Sequence, residues 1–206
     1  MLYAIKHNKH NHKLRSLTKL NKIIEQSILV KKKLLSLEPE IYQSINLIHK
    51  SLKKGGKIFL CGNGGSSADA QHLAAEFTVR LRPGVNRRAI PAISLSSDSS
   101  NLTACGNDYG FKKIFSRNLE ALYKKNDILI AISTSGNSEN ILDVLRYCKQ
   151  KKITSIGFLG SGGGKAKKYC NLSLIVPSKI TARIQEMHIF LGHFIFESVE
   201  NLVIKK

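Results

Sequence analysis

The segment KIFLCGNGGSSADAQHLAAEF, residues 57–77, passes from an apolar run through a turn of glycine, asparagine and serine into a helical pattern. Four later apolar runs are likewise followed by polar loops or helices, at 89–95, 127–133, 153–160 and 172–177. Repeated strand, loop and helix of this kind are typical of a parallel sheet with helices on both faces. The sequence therefore predicts an α/β fold with five parallel strands, in which ligands gather at the carboxyl ends of the strands.

The residues before this repeat are predicted to be helical. Apolar residues recur at helical spacing between Leu17 and Leu29, Pro39 marks a break, and a second apolar series runs from Ile41 to Ile48. We therefore expect two amphipathic helices ahead of the first strand.

The 206-residue chain is strongly basic, with a net charge of +19. Residues 1–33 hold nine Lys or Arg and one Glu, so a charge of +8 lies at one end. One interpretation is a tail that binds nucleic acid or an acidic partner; the other is a lysine-rich coding bias on solvated faces. No basic stripe interleaved with aromatic residues and no DNA-reading motif is present, which favours the second. We therefore divide the chain into a basic N-terminal segment, 1–34, and one main domain, 35–206, and expect no nucleic-acid partner.

The cysteines and the apolar runs indicate a protein of the reducing cytoplasm. The cysteines are scattered without a CxxC pair, which argues against a zinc knuckle or a disulfide framework. They are Cys61, Cys105, Cys148 and Cys170. The N-terminal residues MLYAIKHNKHNHKL contain no apolar core of signal-peptide length. Apolar runs such as ILIAI, 128–132, have the length of a strand and are too short to cross a bilayer. We therefore expect a cytoplasmic protein without a membrane partner.

Two glycine-rich stretches look like nucleotide-binding motifs but lack required residues. GNGGSS has serine where a dinucleotide fingerprint requires its third glycine, and LRPGVNRR lies where the ribose-binding acid should be. Around Lys165, a P-loop would require glycine and a hydroxyl at the positions of Leu159 and Ala166. Neither nucleotide motif is therefore supported.

The segment STSGNS, residues 133–138, lies between a predicted buried strand and a helix start. Unpaired N–H groups and the helix dipole favour an anion there. Four hydroxyls add donors: Ser133, Thr134, Ser135 and Ser138. The loop has no lysine or arginine, which suits a small sugar phosphate better than a triphosphate. Ser, Thr, Asn and Gly also serve ordinary turns and helix caps, so these residues alone leave a phosphate site and a simple turn equally open.

Two pairs of polar residues on predicted helices are candidates for catalysis. His72 and Glu76 stand four residues apart and therefore share one face of a helix. Gln185 and His193 stand eight residues apart in the final helix and are also close in angle. Taken alone, a pair such as His72 and Glu76 is more commonly a surface hydrogen bond. A histidine among apolar residues, as His193 is, is commonly a satisfied core residue.

Four motifs, in this order along the chain, resemble the sugar-isomerase (SIS) domain and, within that family, the phosphoheptose isomerases: GNGGSSADAQH, LTACGNDYG, AISTSGNS and ARIQEMHIFLGH. The resemblance covers about residues 35–204. It implies a single SIS domain, a parallel five-stranded sheet flanked by helices, with an N-terminal helical extension. It also implies an aldose–ketose isomerase that converts sedoheptulose 7-phosphate to D-glycero-D-manno-heptose 7-phosphate through an enediol. That reaction is the first step of nucleotide-activated heptose synthesis for lipopolysaccharide and other surface polysaccharides.

By correspondence with this family, Glu76 and His193 are expected to be catalytic, with Glu76 as the base that moves a proton between C1 and C2. One zinc ion per subunit is expected on four ligands: His72, Glu76, Gln185 and His193. The expected substrate contacts are Asn63, Gly64, Gly65, Ser66, Glu76, Asn107, Asp108, Ser133, Thr134, Ser135, Ser138 and Gln185. Some relatives have aspartate where this chain has Ala182, so one polar contact is expected to be missing here.

The resemblance further implies a homotetramer with active sites at subunit boundaries. Eight helical residues rise about 12 Å, so Gln185 and His193 of one helix reach a common ion only by leaning together. We therefore expect a site assembled between subunits, with Gln185 or His193 supplied by a neighbouring chain; in the second case Glu76 and His193 come from different chains. The rival interpretation is a non-catalytic SIS protein that binds the bacterial replication initiator, but it lacks residues matching Glu76 and His193. A sugar-sensing repressor is disfavoured because 1–34 is too short for an added DNA-binding domain.

Overall fold

The N-terminal region is helical, as predicted. The structure is a computed structural model that describes the backbone of residues 2–204 and the side chains of residues 18–204. The chain begins with α1 (Leu2–Lys33), a 3₁₀ turn (Leu34–Leu37) and α2 (Glu38–Lys53). The two helices that the apolar spacing predicts are therefore present, although α1 begins well before the predicted pattern does.

Pro39 lies in the first turn of α2 rather than in a linker. Proline is well accepted there because the N–H groups of a first helical turn have no intrahelical partner. The predicted break is the 3₁₀ turn that ends at Leu37, just before the proline. From this start, α2 directs Ile41, Ile45 and Ile48 into the core.

Five parallel strands form one sheet, which confirms the predicted α/β fold. The strands are β1 (Ile58–Cys61), β2 (Ala92–Ser94), β3 (Ile128–Ser133), β4 (Thr154–Leu159) and β5 (Leu172–Ile175). Their order across the sheet is β2-β1-β3-β4-β5, and all four pairs are parallel. The order reverses between β1 and β3. Open parallel sheets bind ligands in the crevice outside the carboxyl ends of the strands at such a reversal.

Helices cover both faces of the sheet. The helices that follow α2 are α3 (Gly65–Thr78), α4 (Ser99–Tyr109), α5 (Ile114–Leu122), α6 (Glu139–Lys151) and α7 (Thr181–Ile204). Three further 3₁₀ turns lie at Phe111–Lys113, Ser161–Gly163 and Ala166–Lys168. Alternate residues of the central strands enter two separate apolar cores, one formed with α2, α3 and α7 and the other with α5 and α6. The strands are therefore buried on both faces, as their nearly continuous apolar runs predict.

The final helix, α7, is the one helix of the described residues that is long and apolar enough to cross a membrane, by length and composition. In this fold it packs as the central helix of one core, where Ile195 and Phe196 are fully buried. Glu200 is also fully buried and accepts hydrogen bonds from Arg82 and Arg87. Because one face of α7 lies in the core and the carboxylate of Glu200 is paired, this part of α7 has the environment of a core helix.

Candidate active site

The loops after β1 and β3 meet where the strand order reverses. Asn63 in the first loop and Asn140 in the first turn of α6 exchange two side-chain hydrogen bonds, each 2.8 Å long. Within the pair each amide donates once and accepts once, so the pair joins the first loop directly to the start of α6. The glycine turn, 62–66, and the predicted phosphate loop, 133–138, therefore lie side by side at the carboxyl edge of the sheet.

Glycines shape the turn between β1 and α3 in two ways. Gly64 has φ +54° and ψ −121°, a backbone conformation that residues with a Cβ rarely adopt. Gly65 begins α3, and a Cβ at this position would lie 2.4 Å from Nε2 of Gln185. The missing side chain at Gly65 therefore lets Gln185 of α7 lie over the start of α3. Ser66, another predicted substrate contact, is buried in the same turn.

The hydroxyl groups of residues 133–138 are used in two ways. Ser133 Oγ accepts from the backbone N–H three residues later at 3.1 Å, and Ser135 Oγ accepts from the N–H two residues later at 3.2 Å. Ser138 is the N-cap of α6, but its side chain makes no capping hydrogen bond. Ordinary turn bonding thus accounts for Ser133 and Ser135. Ser138 and the half-buried Thr134 lie near the N-terminus of α6, and their hydroxyls do not take part in this turn bonding.

His72, Glu76 and His193 of one chain lie together. Nε2 of His72 is 2.8 Å from Nε2 of His193 and 3.3 Å from Oε1 of Glu76. One possible metal-ligating atom from each residue lies within 4.8 Å of the other two. His72 and Glu76 lie on α3, and His193 faces them from α7. The structure therefore brings together three of the four residues predicted to bind a metal ion.

Close packing of α3 against α7 produces this cluster. A Cβ on Gly192 would lie 2.5 Å from Cδ1 of Leu73, so the helices approach closely at this glycine. One turn further along, the ring of Phe77 stacks on the ring of Phe196, with centroids 3.9 Å apart. The residue numbers of the touching pairs rise together, which shows that α3 and α7 run side by side in the same direction.

Gln185 contacts α3 away from this cluster. It lies against Gly65, and His72 is seven residues further along α3, a rise of about 10 Å. Because the helices are parallel, the eight-residue interval from Gln185 to His193 separates their contact points on α3 by a similar distance. The expectation that Glu76 and His193 come from different chains is therefore wrong, since one chain brings them together. The assignment of Gln185 as a metal ligand stays a prediction.

The cluster has the donor atoms and the protonation state that suit a divalent cation. Two imidazole nitrogens and a carboxylate oxygen are ligands typical of catalytic zinc sites with three protein ligands. Oε2 of Glu76 is buried and has no hydrogen-bond partner among residues 18–204. Burial lowers the pKa of His193, and the charge of His72 lowers it further, while Glu76 raises it. His193 is therefore favoured in the neutral form, which can bind a metal ion or accept a proton.

Asn107 and Asp108 lie on an exposed helix. Both are in the last turn of α4, where the side-chain amide of Asn107 donates to Oδ1 of Asp108 at 2.8 Å. None of the residues of α4 is buried. The helix packs on α5 and on the 3₁₀ turn Phe111–Lys113, which precedes α5. In a single chain both side chains face solvent, so their role as substrate contacts stays a prediction. Ala182 is also exposed, in the first turn of α7.

Asp69 is a candidate functional residue that the sequence analysis did not identify. It lies one turn before His72 on α3, and its Oδ2 is buried with no hydrogen-bond partner in the part of the chain described. Burial raises the pKa of Asp69, and the charge of His72 lowers it in part. The spacing was a usable signal, because residues three and four positions apart, as Asp69, His72 and Glu76 are, share one helix face.

Comparison with known proteins gives the family. The SIS domain profile matches residues 16–160. The phosphoheptose isomerase of Clostridium acetobutylicum is 48% identical over 180 residues, which cover 86% of this chain and 91% of that protein. The enzyme of Nitratiruptor sp. is 49% identical over 160 residues, covering 78% and 84%.

Solved structures agree with these sequence matches. A phosphoheptose isomerase from Francisella tularensis superposes with a TM-score of 0.86 at 36% identity, covering 90% of this chain and 98% of that one. The phosphoheptose isomerase from Neisseria gonorrhoeae gives a TM-score of 0.82 at 37% identity, with 89% and 97% coverage. Sequence and fold agree over most of both chains in each comparison. The chain therefore belongs to the phosphoheptose isomerase family of SIS-domain proteins.

Proposed function

We propose that this chain is an aldose–ketose isomerase that interconverts sedoheptulose 7-phosphate and D-glycero-D-manno-heptose 7-phosphate. Relatives at 48% and 49% identity are phosphoheptose isomerases. The observation that carries the proposal is the close approach of the Glu76 carboxylate and the His193 imidazole at the α3–α7 contact. A carboxylate base and a neutral imidazole are groups that a proton-transfer isomerisation uses.

The reaction moves the carbonyl group from C2 to C1 by proton transfers through an enediol. Glu76 is the proposed base: it takes a proton from C1, which breaks a C–H bond, and returns it to C2. Its Oε2 is buried without a partner among the described residues, which leaves a lone pair for the substrate. His193, favoured in the neutral form, is proposed to carry the accompanying proton from the C1 hydroxyl to the C2 oxygen.

A zinc ion would be held by His72, Glu76 and His193, with Gln185 of a neighbouring copy as the expected fourth ligand. When bound, zinc would supply Lewis-acid polarisation of the sugar carbonyl. The donor set supports this proposal, because two imidazoles and a carboxylate converge within 4.8 Å.

The substrate phosphate is proposed to lie at the N-terminus of α6. Backbone N–H groups and the helix dipole favour an anion there. The hydroxyls of Thr134 and Ser138 are proposed to donate to the phosphate. The neighbouring turn, 63–66, and the exposed Asn107 and Asp108 are proposed to contact the sugar hydroxyls.

We further propose a cytoplasmic homotetramer that supplies heptose for surface polysaccharide.

Exposed apolar surfaces support the proposed assembly. Along α1, large apolar side chains are exposed: Leu20, Ile23, Ile24, Ile28 and Leu29. A mainly apolar groove of about 320 Å³ runs from the end of α1 over α2 to α7. Phe190 and Phe194, on either side of His193 in sequence, line this groove and are exposed. Burying these surfaces against symmetric copies would place a second chain near the cluster. The basic N-terminal segment, 1–34, is proposed to assist assembly, and the main domain, 35–206, is proposed to form the SIS domain.

Mixing inactive variants tests whether the site is shared between subunits. If Gln185 of one copy completes the cluster of another, co-refolded Glu76→Gln and Gln185→Ala chains should regain part of the activity. Glu76→Gln mixed with His193→Ala is the matched control and should stay inactive, because one chain supplies both residues to a cluster. Native mass spectrometry confirms that mixed oligomers have formed. If they have formed and neither mixture regains activity, the site is not shared between subunits.

The non-catalytic rival is not favoured. Glu76 and His193, which the initiator-binding SIS protein lacks, are both present here and lie together. The curated relatives cited above are phosphoheptose isomerases.

Product analysis in heavy water tests the proposed reaction. The purified protein is incubated with sedoheptulose 7-phosphate in D₂O, and the aldose product is identified by NMR. Proton transfer through an enediol predicts deuterium at C2 in at least part of the product. Sedoheptulose without phosphate is the control and should react far more slowly. No aldose from the phosphorylated sugar would refute the proposed function.

A further inference from the structure

A buried guanidinium group holds the end of α3 against α7. Nη2 and Nη1 of Arg87 donate to the backbone carbonyls of Glu76 and Phe77, at 2.8 and 2.9 Å. Nε of Arg87 donates to Oε1 of Glu200 on α7. The side chains of Arg87 and Glu200 are only 5% and 0% exposed. One planar group therefore bridges the last turn of α3 and the second half of α7.

The chemistry of arginine suits this position. Carbonyls in the last turn of a helix have no intrahelical partner, and the partial negative charge at a helix C-terminus attracts a cation. A fully buried carboxylate such as Glu200 also requires a paired charge. The rigid guanidinium fork offers five donors and serves both needs at once, whereas the ammonium group of lysine is a single point that cannot span them.

One carbonyl that Arg87 holds belongs to the proposed base itself. The carboxylate of Glu76 approaches His72 at 3.3 Å through Oε1, and its Oε2 has no partner in the described chain. Its position therefore depends mainly on its own backbone. Glu200 lies seven residues after His193, two turns further on the same face of α7. Arg87 thus links the backbone of Glu76 to the helix that carries His193.

We propose that Arg87 is a positioning residue for Glu76, anchored by Glu200, and that it sets the distance between the Glu76 carboxylate and His193. This inference rests on the proposed isomerase function. Arg87 acts on a backbone carbonyl and not on the substrate, so its loss should lower turnover more than substrate binding. A misplacement of about 1 Å in a reacting group can cost about 100-fold in rate.

Arg82 provides a matched control. Its Nε donates to Oε2 of the same Glu200 at 2.7 Å, and its Nη2 donates to Asn201 at 2.6 Å. Within residues 18–204 it makes no hydrogen bond to a carbonyl of α3. If the variants act by weakening charge compensation at Glu200, replacing either arginine should lower kcat. If they act by displacing Glu76, only replacement of Arg87 should lower kcat.

The experiment compares Arg87→Lys with Arg82→Lys, because both variants keep a positive charge beside Glu200. Thermal unfolding is measured first, and kinetics are compared well below both midpoints. Arg87→Lys should lower kcat at least about tenfold with KM within about threefold, whereas Arg82→Lys should keep kcat within about twofold. Equal losses of kcat in the two variants, or no loss in Arg87→Lys, would overturn the proposal. A loss confined to KM would do the same.

Hydrogen exchange gives a second readout that needs no turnover. Amide exchange in the last two turns of α3 should be faster in Arg87→Lys than in the unmodified chain, and unchanged in Arg82→Lys. If the unmodified chain does not isomerise the heptose phosphate, the proposed function fails, and exchange then decides whether Arg87 holds α3. Equal exchange in all three proteins would overturn the positioning role.

Discussion

Replacing Gly65 with alanine should lower turnover while barely changing stability. The new Cβ would lie 2.4 Å from Nε2 of Gln185. Ordinary contact between heavy atoms begins at about 3.5 Å, so the amide group must move by about 1 Å. It is the end of a flexible side chain, so the strain is small, and alanine gains about 0.5–1 kcal/mol of helix preference over glycine. We expect the free energy of unfolding to change by less than about 1 kcal/mol, and Tm by at most about 4 °C.

The kinetic effect of Gly65→Ala should come through Gln185. If this amide contacts the sugar, a displacement of about 1 Å should lower kcat/KM by about 10- to 100-fold. Gln185→Ala removes both the contact and the crowding. The double variant should therefore be no worse than Gln185→Ala alone, a clear departure from additivity. The NMR assay and thermal unfolding of the four proteins provide the measurements.

Three outcomes would refute this reasoning. Additive losses would show that the alanine acts on a group other than Gln185. Unchanged kcat/KM in Gly65→Ala would show that the displaced amide takes no part in binding or catalysis. A fall in Tm well above about 4 °C would mean that the added methyl group meets something rigid. Gly84→Ala is the control, since a Cβ there would meet no atom within 4 Å, and it should leave kcat/KM unchanged.

Three further predictions concern the cluster and the core. Glu76→Gln removes basicity but keeps shape, so kcat should fall about 100-fold or more while the thermal unfolding transition remains; near-normal turnover would exclude Glu76 as the base. His72→Ala should weaken zinc retention about 10-fold or more, and chelation should lower activity; full activity after exhaustive metal removal would contradict a catalytic ion. Burial lowers the pKa of His188 to about 4, so below about pH 6.5 the unfolded chain binds a proton that the folded chain does not. The contribution of His188 to stability should therefore fall by about 3 kcal/mol from pH 6.5 to 4; in urea titrations His188→Leu should lose correspondingly less stability over this range, and an equally steep loss would contradict the prediction.

The strands were predictable because each is an apolar run that ends in a polar loop, but their lengths depend on tertiary contacts. The run 89–95 predicts seven residues, whereas β2 has three, Ala92–Ser94. It is an edge strand that pairs only with β1. Pro91 lies just before it, and proline cannot donate to a strand ladder. The spacing of residues along the chain does not predict the order of the strands across the sheet. That order depends on which apolar faces of the strands the helices cover.

The candidate site was predictable where it depends on one element. His72 and Glu76 share a face because they are four residues apart on one helix, and no tertiary information is needed for that. The two roles of the serines in 133–138 were not predictable. Turn bonds and phosphate binding use the same hydroxyls, and only the folded loop shows that Ser133 and Ser135 accept bonds from nearby N–H groups.

The eight-residue interval between Gln185 and His193 shows what a spacing on one helix can and cannot predict. It correctly predicts a shared face, but its consequence depends on the direction of the helix packed against that face. Because α3 runs parallel to α7, Gln185 meets Gly65 at the start of α3, and His193 meets His72 two turns later, with Glu76 one turn beyond. An antiparallel neighbour would have paired these residues differently. One chain therefore brings Glu76 and His193 together, whereas the prediction that Gln185 binds the same ion implies a second chain.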